Sequence, residues 1–348
     1  MEPTQLRWMQ PGQLRILLHG QILSLLLAAT GIFSQALANK KLNAPSFQSC
    51  LNYTLLSFLL LKRCWQAERP LALPWWKYFL VAVLDVEGNY LIVRAYAEGV
   101  SITSATLLDC FTIPNVMILS RICFKTKFEG NHLAGVVLCV LGLSLLVYLD
   151  TSSSSSSTVA GDVLVIVATL FYAASNVAQE YIVKSHDIYE YLGMLGLCGA
   201  VISGCQAAAL EHEQLHQLFS GRLPSQNVVA AMLAGFTVSL SSFYLGAAYF
   251  MRKADATLFN LSLLSSDVWG LLAGVFLFGN RLSPLYAGAF VLTVGGAVVY
   301  NQREAASTIA PDRDTRANKR AGLEPVPGED EEEGDERGPS GGLLPDAM

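Results

Sequence analysis

Apolar runs, each bounded by charged residues, Pro, Gly or clusters of Ser, follow one another along most of the chain. A membrane crossing needs roughly 20 consecutive, mostly apolar residues. Backbone groups in lipid must form their hydrogen bonds inside the segment, so each run is predicted to be a helix. Ten runs qualify: 16–38, 45–61, 75–97, 102–124, 133–149, 163–183, 191–210, 228–250, 256–278 and 284–300.

The composition supports this interpretation. Of the residues, 52% are hydrophobic and 15% are charged, whereas soluble domains carry about 25% charged residues. The formal charge of −5 arises in residues 301–348, which hold 12 acids and 6 bases and leave 16 acids and 17 bases elsewhere. This tail contains "GEDEEEGDERGPSGG" and is predicted to be disordered, because it cannot bury enough apolar surface to offset chain entropy. It is either a solvated tail or a binding segment.

Basic residues indicate the orientation. With the amino terminus in the cytoplasm, the cytoplasmic side receives most Lys and Arg residues, and the opposite side keeps Lys40, Lys41, Arg222 and Arg281. The positive-inside rule therefore predicts that both termini are cytoplasmic and that the number of spans is even.

A weak internal repeat divides the ten predicted spans into two sets of five. "SATLLD" (104–109) matches "DATLFN" (255–260), and Ala134, Gly135 and Gly142 match Ala287, Gly288 and Gly295, at offsets of 151 and 153 residues. Five crossings invert the second unit, and inverted repeats usually enclose a substrate site near the midplane. The expected organisation is a cytoplasmic segment (1–15), a first repeat (16–149), a Ser-rich outer loop (150–162), a second repeat (163–300) and the acidic cytoplasmic tail (301–348).

The third predicted span carries ionisable residues on two faces. At about 100° per residue, Glu87 and Arg94 share one face, and Asp85 and Asn89 share nearly the opposite one. A charge at the bilayer centre costs roughly 2.5–3.5 kcal/mol. The helix is therefore expected to be enclosed by polar neighbours or water, or unwound near Gly88. These residues are candidates for substrate binding or coupling, and a structural pair between Glu87 and Arg94 is the alternative.

The fourth predicted span contains Asp109 and Pro114 in "LLDCFTIPN". A carboxylate there must face a cavity, a cation or a proton pathway, and Arg94 on the preceding span is the nearest candidate cation. Pro114 removes an amide donor and predicts a helix kink. The kink either serves a substrate-lining helix or is static.

In the second half, Asn260 and Asp267 are the corresponding candidates. Glu180 lies near the predicted cytoplasmic end with Lys184 four residues later, which predicts an ion pair at the surface.

Motifs for chemistry are missing from the sequence. It contains no GxxxxGK[ST] phosphate loop, no HExxH and no nucleophile elbow. The seven cysteines lie in or beside apolar runs, without metal-ligand spacing. We expect no enzyme, no catalytic residues, no cofactor and no metal.

Several segments resemble solute carrier family 35, subfamily F, in the drug/metabolite transporter superfamily. They are "DVEGNYLIVRAY", "SITSATLLDCFTIPNVMILS", "SNVAQEYIVK", "EYLGMLGLCGAVISGCQ" and "ATLFNLSLLSSDVWGLLAGVFLFG". The resemblance runs from about residue 17 to 300. It implies an all-α integral membrane protein of the drug/metabolite transporter fold, with ten helices in two inverted five-helix repeats. It also places Tyr90 in a shared motif. The family's double acid is replaced by Gln179-Glu180 here.

The resemblance implies a secondary transporter of a small organic solute that works by alternating access. Phosphate-bearing nucleotide sugars require several Lys or Arg, and the membrane segments hold mainly acids, so a nucleobase-like, cationic or heteroaromatic solute is favoured. The alternatives are a nucleotide-sugar antiporter and a non-transporting protein, either a lipid scramblase or an adaptor that acts through its tail. The expected partners are the solute and the lipid bilayer, with no nucleic acid; a homodimer and a cytosolic tail-binding partner stay open. The plasma membrane is favoured over Golgi or endosomal membranes.

Overall fold

The protein forms a bundle of helices in its computed structural model, which describes residues 11–61, 70–97, 100, 108–109, 111–150, 159–221, 225–266, 269 and 284–302. Eleven helices lie within these ranges. They are α1 (Pro11–Asn39), α2 (Pro45–Ser57), α3 (Trp75–Ala97), α4 (Thr112–Phe124), α5 (Gly130–Asp150), α6 (Val159–Ser185), α7 (Ile188–Leu210), α8 (His212–Phe219), α9 (Gln226–Lys253), α10 (Ala256–Leu263) and α11 (Pro284–Tyr300).

Each of the ten predicted spans overlaps one of these helices, and the boundaries of α3 and α11 agree with the prediction. The additional helix is α8, which follows α7 closely and ends at the exposed Phe219. Helix α5 extends to Asp150 and α6 begins at Val159, so both helices enter the predicted outer loop. The Ser run of that loop and the acidic tail lie outside the described residues.

Within the described ranges, four helices are both long and apolar enough to cross a membrane, namely α1, α6, α7 and α9. Helix α3 has 23 residues, but its ionisable residues reduce its apolar character. Shorter apolar helices occur in α4, α5 and α11. The protein is therefore an all-helical membrane protein, and the ten-span count stays a prediction.

The outer surface of the bundle is apolar, as expected of helices that face lipid. On α1 the exposed side chains Leu14, Leu18, Ile22 and Leu25 recur at helical spacing. The interior contains hydroxyl groups in addition to hydrocarbon, because Tyr53, Tyr78, Tyr191 and Tyr300 are among the largest fully buried side chains.

The helices pack mainly as four extensive pairs: α1 with α9, α2 with α7, α3 with α6 and α5 with α11. Small residues permit two of these contacts, as is common in membrane bundles. A Cβ atom on Gly196 of α7 would lie 2.5 Å from the amide nitrogen of Ser57, the last residue of α2. One on Gly135 of α5 would lie 2.7 Å from the carbonyl oxygen of Gly296 in α11.

The first and last described helices meet at one end of the bundle. Gln13 donates a hydrogen bond to the carbonyl oxygen of Asn301 at 3.0 Å, and Asn301 donates to the carbonyl oxygen of Gln13 at 3.3 Å. The start of α1 and the end of α11 are therefore neighbours.

Candidate functional site

Asp85 lies at the centre of the candidate site, halfway along α3. Its Oδ2 atom accepts hydrogen bonds from the hydroxyl groups of Tyr53 in α2 and Tyr244 in α9, both at 2.6 Å. Its Oδ1 atom accepts a longer bond of 3.5 Å from Ser175 in α6. Within the described part of the chain, these donors are all neutral hydroxyl groups. They stabilise the carboxylate but do not neutralise its charge.

The opposite face of α3 also meets a polar neighbour. Glu87 accepts a hydrogen bond of 2.8 Å from the side chain of Gln206 in α7. On the Asp85 face, Tyr172 of α6 donates to the side-chain oxygen of Asn89 at 3.0 Å. Helix α3 is continuous through Gly88. The sequence predicts either enclosure of this helix by polar neighbours or water, or unwinding near Gly88, and the structure shows enclosure by polar neighbours.

A small cavity opens beside this cluster, between α2, α3 and α7. Its volume is about 30 Å³, which is room for one or two water molecules. Its walls are lined by Pro45, Ser46, Ser49, Tyr53, Val86, Asn89, Tyr90, Val93, Ser203 and Gln206. Tyr53 belongs to both the cavity wall and the Asp85 cluster, so it connects the two.

The remaining predicted residues are placed separately. Tyr90 lines the cavity, and Arg94, one turn later, is exposed. Asp109 accepts a 3.1 Å hydrogen bond from Thr112. Asn260 of α10 accepts one of 3.1 Å from Asn176 of α6. Asp267 lies outside the described residues.

Pro114 occupies the first turn of α4, which begins at Thr112 after a turn at Phe111. In a first turn the missing amide of proline has no helical partner to lose. Residues 101–107 and 110 are outside the described ranges, so the kink stays a prediction.

A second polar cluster lies near the end of α6. Glu180 contacts Lys184 at 2.7 Å and accepts a 2.9 Å hydrogen bond from the backbone amide of Ala256, the first residue of α10. The predicted ion pair is confirmed, but its placement at the surface was wrong, because Glu180 is only 2% exposed. The interaction with Ala256, which is 76 residues away, accounts for the burial.

The residues that hold the candidates in place are not evident from the sequence pattern. Tyr53, Tyr172, Ser175, Gln206 and Tyr244 were not identified. A signal was present in α6, where Thr169, Tyr172, Asn176 and Glu180 recur every three or four residues and form a polar stripe on one helical face. Their neighbours on α3, α4 and α10 could not be identified from spacing.

Comparison with known proteins identifies the family. The family model SLC35F, solute carrier family 35, matches residues 11–302. The chain belongs to solute carrier family 35. It is 36% identical over 293 residues to solute carrier family 35 member F2 of Mus musculus. This match covers 81% of this chain and 76% of the mouse protein. The member F2 of Xenopus tropicalis is 34% identical over 298 residues, covering 81% of this chain and 74% of the relative.

A fungal relative and a solved structure are also similar to this chain. An uncharacterized solute carrier family 35 member of Schizosaccharomyces pombe is 34% identical, covering 81% of this chain and 56% of its own length. A solved crystal structure with 16% identity has a TM-score of 0.66 and covers 84% of this chain and 96% of its own. At that identity it shows the fold alone. The family implies that this chain is a membrane transporter rather than an enzyme.

Proposed function

We propose that this solute carrier is a secondary transporter of a cationic or nucleobase-like heteroaromatic solute, and that Asp85 binds the solute. The observation that carries this proposal is the cluster of hydroxyl groups around Asp85. A carboxylate inside a membrane protein is costly unless its charge is compensated. Because its described donors are neutral, a cation or a proton supplies the compensation most directly.

The surroundings of Asp85 suit an aromatic or cationic solute. Tyr53, Tyr90, Tyr172 and Tyr244 lie in the Asp85 cluster or the adjoining cavity. Tyrosine rings stack on heteroaromatic rings and attract cations through their π faces. None of the described residues that line the cavity is Lys or Arg. A nucleotide sugar, whose phosphates require such residues, therefore ranks second.

The cavity of about 30 Å³ is too small for any of these solutes. A solute enters only when the surrounding helices separate, which is consistent with alternating access. The hydroxyl bonds to Asp85 come from three different helices, so helix movement changes its surroundings directly.

The helix pairing supports two inverted five-helix repeats. Let α1–α5 form the first repeat and α6, α7, α9, α10 and α11 the second. Helix α1 then corresponds to α6, and α3 corresponds to α9. Exchanging the repeats therefore converts the α1–α9 contact into the α6–α3 contact. The same exchange leaves the α2–α7, α4–α10 and α5–α11 contacts unchanged. All five contacts occur in the described bundle, as expected of a two-fold axis in the membrane plane.

The adjacency of Gln13 and Asn301 supports placing both ends of the bundle on one side of the membrane. The distribution of basic residues favours the cytoplasm for that side. The plasma membrane stays our proposed location, with Golgi or endosomal membranes as alternatives.

The test of function is uptake of a labelled panel into cells that express the chain. The panel contains organic cations, nucleobases, nucleosides and nucleotide sugars, with Asp85→Asn and Asp109→Asn run in parallel at matched surface amount. We expect saturable uptake of cations or nucleobase-like compounds. Uptake of nucleotide sugars alone would replace this substrate class with the alternative, and no uptake of any compound would favour a non-transporting protein.

Removing residues 303–348 separates a carrier from an adaptor. The deletion retains all eleven described helices, so we expect the uptake rate per surface molecule to stay within about two-fold of the full chain, because surface changes away from a site cost little. The measurement is uptake normalised to surface protein, with affinity capture of cytosolic proteins as the second readout. The adaptor would be supported if the deletion loses a captured cytosolic protein, keeps the same surface amount as the full chain, and neither protein shows uptake.

A further inference from the structure

The helices around the candidate site form two groups that are equivalent under exchange of the proposed repeats. Helix α6 packs against α3 and α4, and α1 packs against α9 and α10. We call these the α6 bundle (α3, α4, α6) and the α1 bundle (α1, α9, α10). A solute that crosses the protein between them requires their contacts to part at one end at a time.

Among the described residues, three hydrogen bonds join the two bundles, two near the middle of α6 and one a helical turn nearer its end. Tyr244 of the α1 bundle donates to Asp85, Asn176 of the α6 bundle donates to Asn260 at 3.1 Å, and the amide of Ala256 donates to Glu180. Helices α3 and α6 are antiparallel, because Asp85 contacts Ser175 while Asn89 contacts Tyr172.

This arrangement places Glu180 at the end of the bundle opposite the cavity. The cavity wall continues from Asn89 to Val93, towards the end of α3, whereas Glu180 lies beyond Ser175, towards the start of α3. The buried carboxylate contact between the two bundles therefore lies towards the start of α3, and the cavity lies towards its end.

The contact of Glu180 is unusually well placed to hold the bundles together. Its carboxylate meets the first amide of α10, where the helix dipole is positive, and hydrogen bonds to charged groups are stronger than those between neutral groups. Asp255 already caps α10 by accepting the amide of Leu258 at 2.7 Å. Glu180 is therefore an additional acceptor supplied by the other bundle, and Lys184 offsets its charge.

The described helix that corresponds to α6 in the other repeat carries no carboxylate. Exchange of the repeats matches α6 with α1, and α1 contains no Asp or Glu between Pro11 and Asn39. The sequence repeat matches Ala256 with Ala105, which lies outside the described residues. A carboxylate contact of the Glu180 type is thus encoded in only one of the two matched helices.

We propose that Glu180 is a latch that holds the α6 and α1 bundles together at the end opposite the cavity. By joining the bundles there, it favours the state in which they are closed at the Glu180 end. The inference rests on the proposed two-repeat carrier and adds the residue that sets its resting state.

The test is the accessibility of a buried position beside the latch. Thr257 is 1% exposed and is replaced by Cys in the full chain, which is placed in lipid nanodiscs. The reaction of this Cys with a water-soluble maleimide is followed by mass spectrometry of the modified peptide. Each rate is normalised to the rate in unfolded protein. Glu180→Ala is expected to raise the labelling rate roughly ten-fold or more, because it removes a charge-assisted bond.

Two further variants make the result specific. Glu180→Gln keeps an acceptor for the Ala256 amide but loses the charge, so it should label at a rate between those of the parent and Glu180→Ala. Glu190→Ala is the matched control: Glu190 is also buried and holds the Ala72 amide and the Tyr78 hydroxyl, each at 2.7 Å, but it joins α7 to the α3 region and not the two bundles. It should leave labelling at position 257 unchanged.

An unchanged rate in Glu180→Ala, or an equal rise in Glu190→Ala, would overturn the latch. If Glu180→Ala does not yield a monodisperse protein, Glu180→Gln decides, and labelling as slow as in the parent would overturn the proposal. The measurement needs no solute, so its failure is distinct from a failure of the uptake panel.

Discussion

Asp85→Asn should reduce saturable uptake of the transported cation or heteroaromatic solute by about 100-fold, because loss of one partner of a buried charge interaction costs roughly 2–5 kcal/mol. Asparagine has nearly the same shape, and its oxygen can still accept from Tyr53 and Tyr244. The packing of α2, α3 and α9 is therefore retained while the charge is removed. The measurement is the initial uptake rate over a range of solute concentrations, at matched surface amount.

The controls divide the effect between charge and hydrogen bonding. Tyr53→Phe and Tyr244→Phe each remove one hydroxyl donor to the carboxylate. Each is expected to lower uptake by about ten-fold, since a hydrogen bond to a charged group contributes roughly 1.5–3 kcal/mol and the other hydroxyl still donates to Asp85. Glu87→Gln should have a smaller effect than Asp85→Asn, because Glu87 contacts Gln206 on the other face of α3. Full uptake in Asp85→Asn, with loss in Asp109→Asn, would move the solute site to the start of α4.

The location of this cluster could be predicted from the sequence only in part. Asp85, Glu87 and Asn89 stand out because ionisable and amide groups are costly in lipid, and α3 begins and ends where the pattern predicts. Tyr53 and Tyr244 carry no such signal, since tyrosine is common both in cores and at membrane interfaces. They are 191 residues apart, and only the packing of α2 beside α9 brings their hydroxyls to one carboxylate.

Glu180 illustrates the opposite difficulty. Its partner Lys184 could be predicted because residues four apart share a helical face. Its burial could not, because it depends on Ala256 in a different helix. Local spacing therefore predicts the contact of Glu180 with Lys184. It does not predict the contact with Ala256, on which the proposed role rests.

The second large effect concerns Gly196 of α7, where the backbones of two segments approach each other closely. A Cβ atom at this position would lie 2.5 Å from the amide nitrogen of Ser57 and 2.7 Å from the carbonyl oxygen of Tyr53. Both are backbone atoms, so the side chains cannot rotate away to relieve the clash. Gly196→Ala should therefore lower stability by about 1–3 kcal/mol, the usual range for overpacking, although alanine favours a helix by about 1 kcal/mol more than glycine.

Gly204→Ala is the matched control, since it makes the same substitution two turns further along α7. Its Cβ would lie 3.5 Å from the Sγ atom of Cys50, an ordinary contact, so its apparent Tm should equal or exceed that of the parent protein. Equal melting temperatures for the two variants in nanodiscs would contradict the close packing of α2 and α7. A destabilised Gly196→Ala protein should also lose uptake, because the displaced backbone includes Tyr53. Its hydroxyl would then move away from Asp85, and the two effects would share one cause.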